Sequence, residues 1–144
     1  MKFLIVLFSF VALINTGVKL NQSYSIKLKI TNIRNTSGRI QVQFYRSQES
    51  FNNQTPWKVV QVPKGQMKEK TIYYEINDIP EGTYGIAILD DENSNKEMDY
   101  SLFKPKEGFG FSNYYHTAWS QPKFDDFKFF LNKNTDVSLK LRYV

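Results

Sequence analysis

The chain has 144 residues, of which 41% are hydrophobic and 23% are charged, and its formal net charge is +5. A chain of this length buries one core without metal or disulfide staples, and its apolar fraction excludes intrinsic disorder. Because it holds no cysteine, a disulfide scaffold, a thiol enzyme and a cysteine-ligated zinc or iron–sulfur site are excluded. We expect a single domain over residues 23–144.

The first residues predict export. Lys2 precedes an apolar run over residues 3–14, which is the arrangement of a secretory signal and is too short to span a bilayer. We assign the signal peptide to residues 1–22, with cleavage between residues 15 and 23. The sequence therefore predicts a periplasmic or extracellular protein that meets the membrane only through this segment before cleavage.

Apolar and polar residues alternate along most of the remaining chain, as in half-buried strands. Ile26, Leu28 and Ile30, for example, alternate with polar residues. The pattern predicts seven strands, at residues 24–31, 40–44, 57–62, 67–76, 83–89, 124–131 and 137–143. Turn residues between the first two strands and between the last two favour a hairpin at each place. We find no convincing helix.

Seven short strands joined by turns are typical of an antiparallel β-sandwich, in which each sheet buries one face against the other. We therefore predict an all-β, seven-stranded antiparallel sandwich, with a small barrel as the alternative. Residues 90–123 are the exception, because they show little regular alternation. Ordered loops of that length in compact domains are usually functional or tied down.

Residues 90–99 hold five of the fourteen acidic residues. Calcium prefers six to eight oxygen ligands, which a loop supplies from alternating positions. The candidate calcium ligands are Asp91, Asn93, Asn95, Glu97 and Asp99. Lys96 stands where the sharp turn of such a loop favours glycine, and Leu102 stands where a bidentate glutamate is expected, so we predict weak binding, with a dissociation constant of about 0.1–1 mM. The alternative is a solvated loop without a cofactor, whose Asp and Asn side chains bond to their own backbone.

Glycine alternates with phenylalanine over residues 108–111. Glycine permits close approach to another strand, and we expect Phe109 and Phe111 to anchor the segment to the core. The candidate ligand-binding residues around it are Glu107, Asn113, Tyr114, Tyr115, His116 and Trp119. The rings of the last four would stack on a sugar or a peptide, whereas Glu107 or Asn113 would complete a cation shell if the segment folds back.

The sequence favours a binding or structural module of the cell envelope over an enzyme. His116 is the only imidazole and no serine or cysteine motif accompanies it, so a catalytic triad is not predicted. The basic residues are spread over the predicted strands, which argues against a nucleic-acid partner, and the expected partner is an envelope polysaccharide or a protein. One alternative is a carbohydrate-binding module that uses Trp57, Tyr114, Tyr115 and Trp119. A less favoured one is a glycan hydrolase that uses Asp91 and Asp99.

Three ordered motifs carry a resemblance to a known family. Residues 79–99 read IPEGTYGIAILDDENSNKEMD, residues 104–113 read KPKEGFGFSN, and residues 121–129 read QPKFDDFKF. Together they resemble the bacterial family known as domain of unknown function 2141. The resemblance implies an exported immunoglobulin-like or prealbumin-like sandwich without an assigned activity. Lys96 and Phe127 depart from it, because the family usually has glycine and a small residue at those places.

Overall fold

The computed structural model describes residues 22–144. The predicted signal peptide, except for its last residue, lies outside this range. The strands in chain order are β1 (Ser23–Thr31), β2 (Arg39–Tyr45), β3 (Lys58–Pro63), β4 (Ile72–Pro80), β5 (Gly82–Asp91), β6 (Tyr100–Ser101), β7 (Lys104–Pro105), β8 (Gly108–Phe111), β9 (Lys128–Leu131) and β10 (Thr135–Lys140). Two short helices, α1 (Gln48–Asn52) and α2 (Phe124–Phe127), complete the described elements.

The prediction of a predominantly β, antiparallel fold is confirmed. Each of the seven predicted strands overlaps an observed strand, but the count of seven is wrong, because β6, β7 and β8 lie in the region expected to be irregular. The prediction of no helix is wrong too. The first half of the predicted strand at residues 124–131 is α2, because Phe124 and Phe127 bury the same side at a spacing of three residues.

The strands form two main sheets and a small hairpin. One sheet has the order β10-β1-β4, and the other has the order β3-β2-β5-β8, with β9 also paired to β5. The pairing of β1 with β10 is parallel, while the other pairings in these sheets are antiparallel. The separate hairpin consists of β6 and β7.

Both predicted hairpins are wrong. The first was expected between β1 and β2, which lie in different sheets. The chain crosses between the sheets over residues 32–38, where Ile33 is buried. The apolar faces of β1 and β2 therefore pack against each other across the core, and the two strands are not hydrogen-bonded neighbours in one sheet. The second was expected between β9 and β10, but β9 pairs with β5 and β10 pairs with β1. Turn residues identified the ends of these strands and not their partners.

One hydrophobic cluster fills the space between the two sheets. It contains Ile26, Leu28, Ile30, Ile72, Ile76, Val137 and Leu139 from the first sheet and Ile40, Val42, Phe44, Val62, Tyr84, Ile86, Ile88 and Leu131 from the second. Within this core, Gly110 of β8 is needed for close approach, since a Cβ there would lie 2.7 Å from the Lys140 carbonyl oxygen. This confirms the expectation that glycine in this segment admits a neighbouring strand.

A second, aromatic cluster covers the outer face of the larger sheet. Phe51 of α1 lies 4.9 Å from Phe127 of α2 and 6.1 Å from Phe111 of β8, measured between ring centroids. The two helices therefore bury the sheet face that points away from the main core. This explains why residues 84–91 of β5 are buried on both sides of the strand. Neither helix in residues 22–144 is long and apolar enough to span a membrane.

Candidate functional site

The acidic loop, defined here as residues 91–99, leaves the end of β5. Its first residue, Asp91, is 1% exposed. The two carboxylate oxygens of Asp91 accept hydrogen bonds from the backbone N–H groups of Asn95 at 3.0 Å and Lys96 at 2.9 Å. Asp91 thus closes the turn of the loop around its own side chain.

The two asparagines of the acidic loop bond to the backbone as well. Asn93 Oδ1 accepts from the Asn95 N–H at 3.0 Å, and Asn95 Oδ1 accepts from the Glu97 N–H at 2.9 Å. Their amide nitrogens donate to the Asp99 carboxylate, at 2.6 Å from Asn93 and 3.2 Å from Asn95. The side-chain oxygens that were expected to face a cation therefore meet donors of the loop itself.

Lys96 adopts the left-handed backbone conformation expected at the sharp turn of the loop. Its φ is +69°, where a residue other than glycine costs about 1 kcal/mol. The hydrogen bond from its N–H to Asp91 opposes that cost. Glu97 follows with an exposed side chain.

Glu107 folds back onto the acidic loop, one of the two placements considered for it. Its side chain is buried, and its carboxylate accepts from the N–H groups of Glu92 at 3.0 Å and Asp99 at 3.3 Å. Burial raises the pKa of Glu107, and these backbone hydrogen bonds oppose the increase. Glu107 therefore fixes both ends of the loop and is not part of an exposed ligand surface.

No group of three or more histidine or acidic side chains in residues 22–144 is placed to hold a metal ion. A cation at the acidic loop would have to replace the N–H groups that now bond to Asp91 and Asn93. Calcium binding by Asp91, Asn93, Asn95, Glu97 and Asp99 stays a prediction of the sequence.

A buried polar cluster that sequence reasoning missed lies beneath the acidic loop. The side chains of Lys64 and Asp90 are 1% and 0% exposed, and they form an ion pair. The Lys64 ammonium also donates to the Ser37 carbonyl oxygen at 2.5 Å, and the Tyr143 hydroxyl donates to Asp90 Oδ2 at 2.6 Å. Such burial is tolerated because each charge is paired.

The surroundings of this cluster control its protonation. Burial raises the pKa of Asp90, while hydrogen bonds from Lys64 and Tyr143 oppose the increase. Burial and the Asp90 carboxylate raise the pKa of Tyr143, so its hydroxyl remains a donor at neutral pH. Because Lys64 and Asp90 are buried, they anchor the base of the acidic loop and present no charge to a substrate.

Arg34 clamps the acidic loop from outside. Its guanidinium donates to both carboxylate oxygens of Glu92, at 2.6 and 2.9 Å, and to the Lys106 carbonyl oxygen at 2.9 Å. The same group lies 4.6 Å from the ring centroid of Tyr143. The hydrogen bonds from Arg34 lower the pKa of Glu92. The clamp therefore connects the loop to the buried cluster through one side chain.

A groove lies on the outer face of the β10-β1-β4 sheet, and its volume is about 500 Å³. Its lining includes Lys29, Thr31, Tyr114, Tyr115, Ser138 and Lys140. Residues 113–115 form one wall of the groove, and two hydrogen bonds join this wall to β10. The Asn113 N–H donates to the Ser138 carbonyl oxygen at 2.8 Å, and the Ser138 N–H donates to Asn113 Oδ1 at 2.9 Å. Lys140 Nζ lies 4.7 Å from the Tyr115 ring centroid, within cation–π range.

The remaining candidate ligand residues lie elsewhere. His116 is buried against Phe111, and its Nε2 lies 2.5 Å from the Ser120 carbonyl oxygen. Trp119 is exposed beside Lys104, and Trp57 packs against Tyr84 near the start of β3. Of the four aromatic residues considered for carbohydrate binding, the structure brings only Tyr114 and Tyr115 together at the groove.

These features define a predominantly β protein whose acidic loop is anchored over buried charges and whose sheet carries an aromatic groove. Residues 28–138 match the sequence profile of a family described as uncharacterized proteins conserved in bacteria, domain of unknown function 2141. The chain belongs to this family, and the resemblance noted in its motifs is confirmed. No curated protein and no solved structure matches the chain.

Proposed function

We propose that the protein is an exported, non-catalytic binding module of the bacterial cell envelope, and that its groove binds acidic envelope polysaccharide. The apolar run at residues 3–14 and the bacterial family support this setting. The single observation that carries the proposal is the groove itself, in which two tyrosines and two lysines meet on the outer face of a sheet.

The groove residues suit a sugar polymer with negative charges. Tyrosine offers a flat apolar ring with a polar end, which allows stacking together with hydrogen bonding. Lys29 and Lys140 add cations that would pair with carboxylate or phosphate groups on the polymer. Because the cations are exposed to solvent, we expect the affinity to fall as salt is added.

The wall of the groove is held in place before a ligand arrives. Asn113 has φ of +53° and makes two hydrogen bonds with the backbone of Ser138 on β10: its N–H donates and its side-chain oxygen accepts. Tyr114 packs against the aromatic cluster and its ring lies 5.9 Å from that of His116. A prearranged wall reduces the ordering cost of binding.

The acidic loop supports a binding role better than hydrolysis. Both oxygens of Asp91 accept backbone N–H groups, and both oxygens of Asp99 accept side-chain amides. A carboxylate that acts as general acid or base must reach the substrate, and these two are engaged within the loop. Weak calcium binding by the acidic loop stays a prediction of the sequence, since a cation there would have to displace the N–H group from which Asp91 and Asn93 now accept.

Calorimetric titration with polygalacturonate, an acidic polymer, and with neutral dextran tests the groove. We expect binding of the acidic polymer alone, weakened at least tenfold by Tyr115→Ala or Lys140→Ala. Phe130→Ala is the matched control, because Phe130 is an exposed ring on β9, which pairs with β5 in the other sheet. Equal binding of both polymers, or an unchanged affinity in the groove variants, would contradict the proposal.

A further inference from the structure

The β6–β7 hairpin ends in two large apolar side chains that lie in solvent. Leu102 is 89% exposed and Phe103 is 98% exposed. They form the two-residue loop between Ser101 and Lys104, which pair across the hairpin. Neither side chain contributes to the two hydrophobic clusters of the described residues. Burial within the fold therefore does not explain why the tip is apolar.

The backbone of the tip makes these residue types more unusual. Leu102 has φ of +47° and Phe103 has φ of +69°. Two-residue hairpin loops with positive φ at both positions favour Asn-Gly, because residues with bulky side chains are strained there. The hairpin thus carries apolar side chains where local folding favours small or polar ones.

The groups around the tip are those found at the boundary between water and lipid. Tyr100 is exposed at the base of the hairpin, and Trp119 is 78% exposed beside it. Lys104 Nζ lies 5.9 Å from the Trp119 ring centroid. Tyrosine and tryptophan favour the headgroup level of a bilayer, and a lysine there reaches the phosphates while its methylene chain stays among apolar groups.

The shape of the hairpin favours a bilayer over a protein partner. A stable protein interface buries about 800 Å² on each partner, whereas the tip is a convex point of two side chains. Interfacial anchoring requires only a few apolar groups that enter about 5–10 Å into the headgroup boundary. Lys104 and Lys106, both exposed at the base of the hairpin, complement anionic lipids. We propose that this hairpin docks the protein on an anionic lipid bilayer by inserting Leu102 and Phe103.

The base of the hairpin is held firmly enough to present the tip. The Lys106 N–H donates to the Asp99 carbonyl oxygen at 2.8 Å, and Arg34 donates to the Lys106 carbonyl oxygen at 2.9 Å. The hairpin therefore projects from the anchored acidic loop. This inference does not depend on the ligand of the groove, which lies on other residues.

The chain has two tryptophans, which allows a local test with vesicles whose lipids carry brominated acyl chains. In Trp57→Phe the sole tryptophan is Trp119, beside the hairpin, and we expect quenching on vesicles that contain phosphatidylglycerol. In Trp119→Phe the sole tryptophan is Trp57, which lies far from the hairpin. Its neighbour Lys58 pairs with Phe44 at one end of β2, whereas Asp91, from which the acidic loop and the hairpin continue, pairs with Arg39 at the other end. That variant is the matched control and should not be quenched.

The decisive variant is Leu102→Asn with Phe103→Gly in the Trp57→Phe background. It gives the turn its favoured residues, so the melting temperature should be kept or raised, while vesicle affinity should fall at least tenfold. Vesicles of phosphatidylcholine alone should also bind at least tenfold more weakly. Absence of Trp119 quenching on anionic vesicles, as expected for a protein partner, would overturn the proposal. So would unchanged binding by the Asn-Gly variant or equal binding to neutral vesicles.

Discussion

The acidic loop and the β6–β7 hairpin are consecutive in the chain, yet their side chains are used in opposite ways. In the loop, the Asp and Asn oxygens accept from backbone N–H groups or side-chain amides. In the hairpin, Leu102 and Phe103 lie in solvent. The loop is thus stabilised by contacts within the protein, whereas the side chains of Leu102 and Phe103 are not buried by the fold.

Both regions contain residues with positive φ, and this sharpens the contrast. Lys96 adopts that conformation while its N–H bonds to Asp91, so the strain is offset locally. Leu102 and Phe103 adopt it at the end of a hairpin without burial. A strained backbone that makes a hydrogen bond within the protein can therefore be told from one that holds a side chain out in solvent. Substitutions in each region should affect different measurements.

The largest effect should come from Lys64→Met in the buried cluster. Removing the ammonium leaves the Asp90 carboxylate buried and unpaired, which we expect to cost about 3–5 kcal/mol of unfolding free energy. Urea denaturation measures this cost. Lys68→Met is the matched control, because Lys68 is exposed in the following turn, and it should change stability by less than about 0.5 kcal/mol.

Adding Asp90→Asn to Lys64→Met should recover part of the loss, since no buried charge then remains. An equal stability of Lys64→Met and Lys68→Met would show that the cluster does not anchor the loop.

A smaller effect, about 1 kcal/mol, is expected for Arg34→Gln at neutral pH, because the clamp is partly solvated. The pKa of Glu92 is lowered in the folded state from its ordinary value of 4.5. The ionised Glu92 side chain therefore stabilises the folded state fully above pH 4.5, and this stabilisation is lost as the pH falls through the lowered pKa. Arg34→Gln should reduce this dependence. Unfolding free energies measured between about pH 3 and pH 7 test the sign, and identical pH profiles for the two proteins would exclude the clamp.

Lys96→Gly should stabilise the protein by up to about 1 kcal/mol, because glycine adopts positive φ without strain. Thermal unfolding measures the gain. Lys106→Gly, outside the left-handed positions, is the control and should not stabilise. A loss of stability in Lys96→Gly would mean that the lysine side chain contributes more than its backbone costs.

The smallest expected effect is that of calcium. With a dissociation constant of about 1 mM, 1 mM calcium stabilises the folded state by about 0.4 kcal/mol. Asp99→Asn should remove this increment, and magnesium should give less of it. An unchanged melting temperature at 5 mM calcium in both wild type and Lys96→Gly would exclude the predicted site.

The sequence predicted positions of strands well because alternation is a local signal. It did not predict partners: β1 and β2 are separated by a short turn yet lie in different sheets, since pairing depends on contacts distant in the chain. β8 was expected to be an anchoring loop, although alternation of glycine and phenylalanine over residues 108–111 has the period of a strand. That period was the signal that would have identified it.

The candidate site was predicted less completely than the strands. Lys96 does lie in a strained turn, and Glu107 does fold back onto the acidic loop. A contribution of Glu107 or Asn113 to a cation shell stays a prediction. Lys64 lies between the strands predicted at residues 57–62 and 67–76, where lysine is normally exposed, and its partner Asp90 is 26 positions later in the chain. No local pattern marks such a pair, because it depends on two strands that end at the same place.

The parallel pairing of β1 with β10 has a consequence for the order of folding. Ile26 to Thr31 pair with Thr135 to Lys140, so nearly the whole described sequence separates the two partners. A nascent chain cannot complete this sheet until its last strand has emerged, and topologies that depend on such distant partners form slowly. Deleting β10 would leave one edge of the first strand open to pairing with another molecule, which makes aggregation the expected fate of prematurely terminated chains.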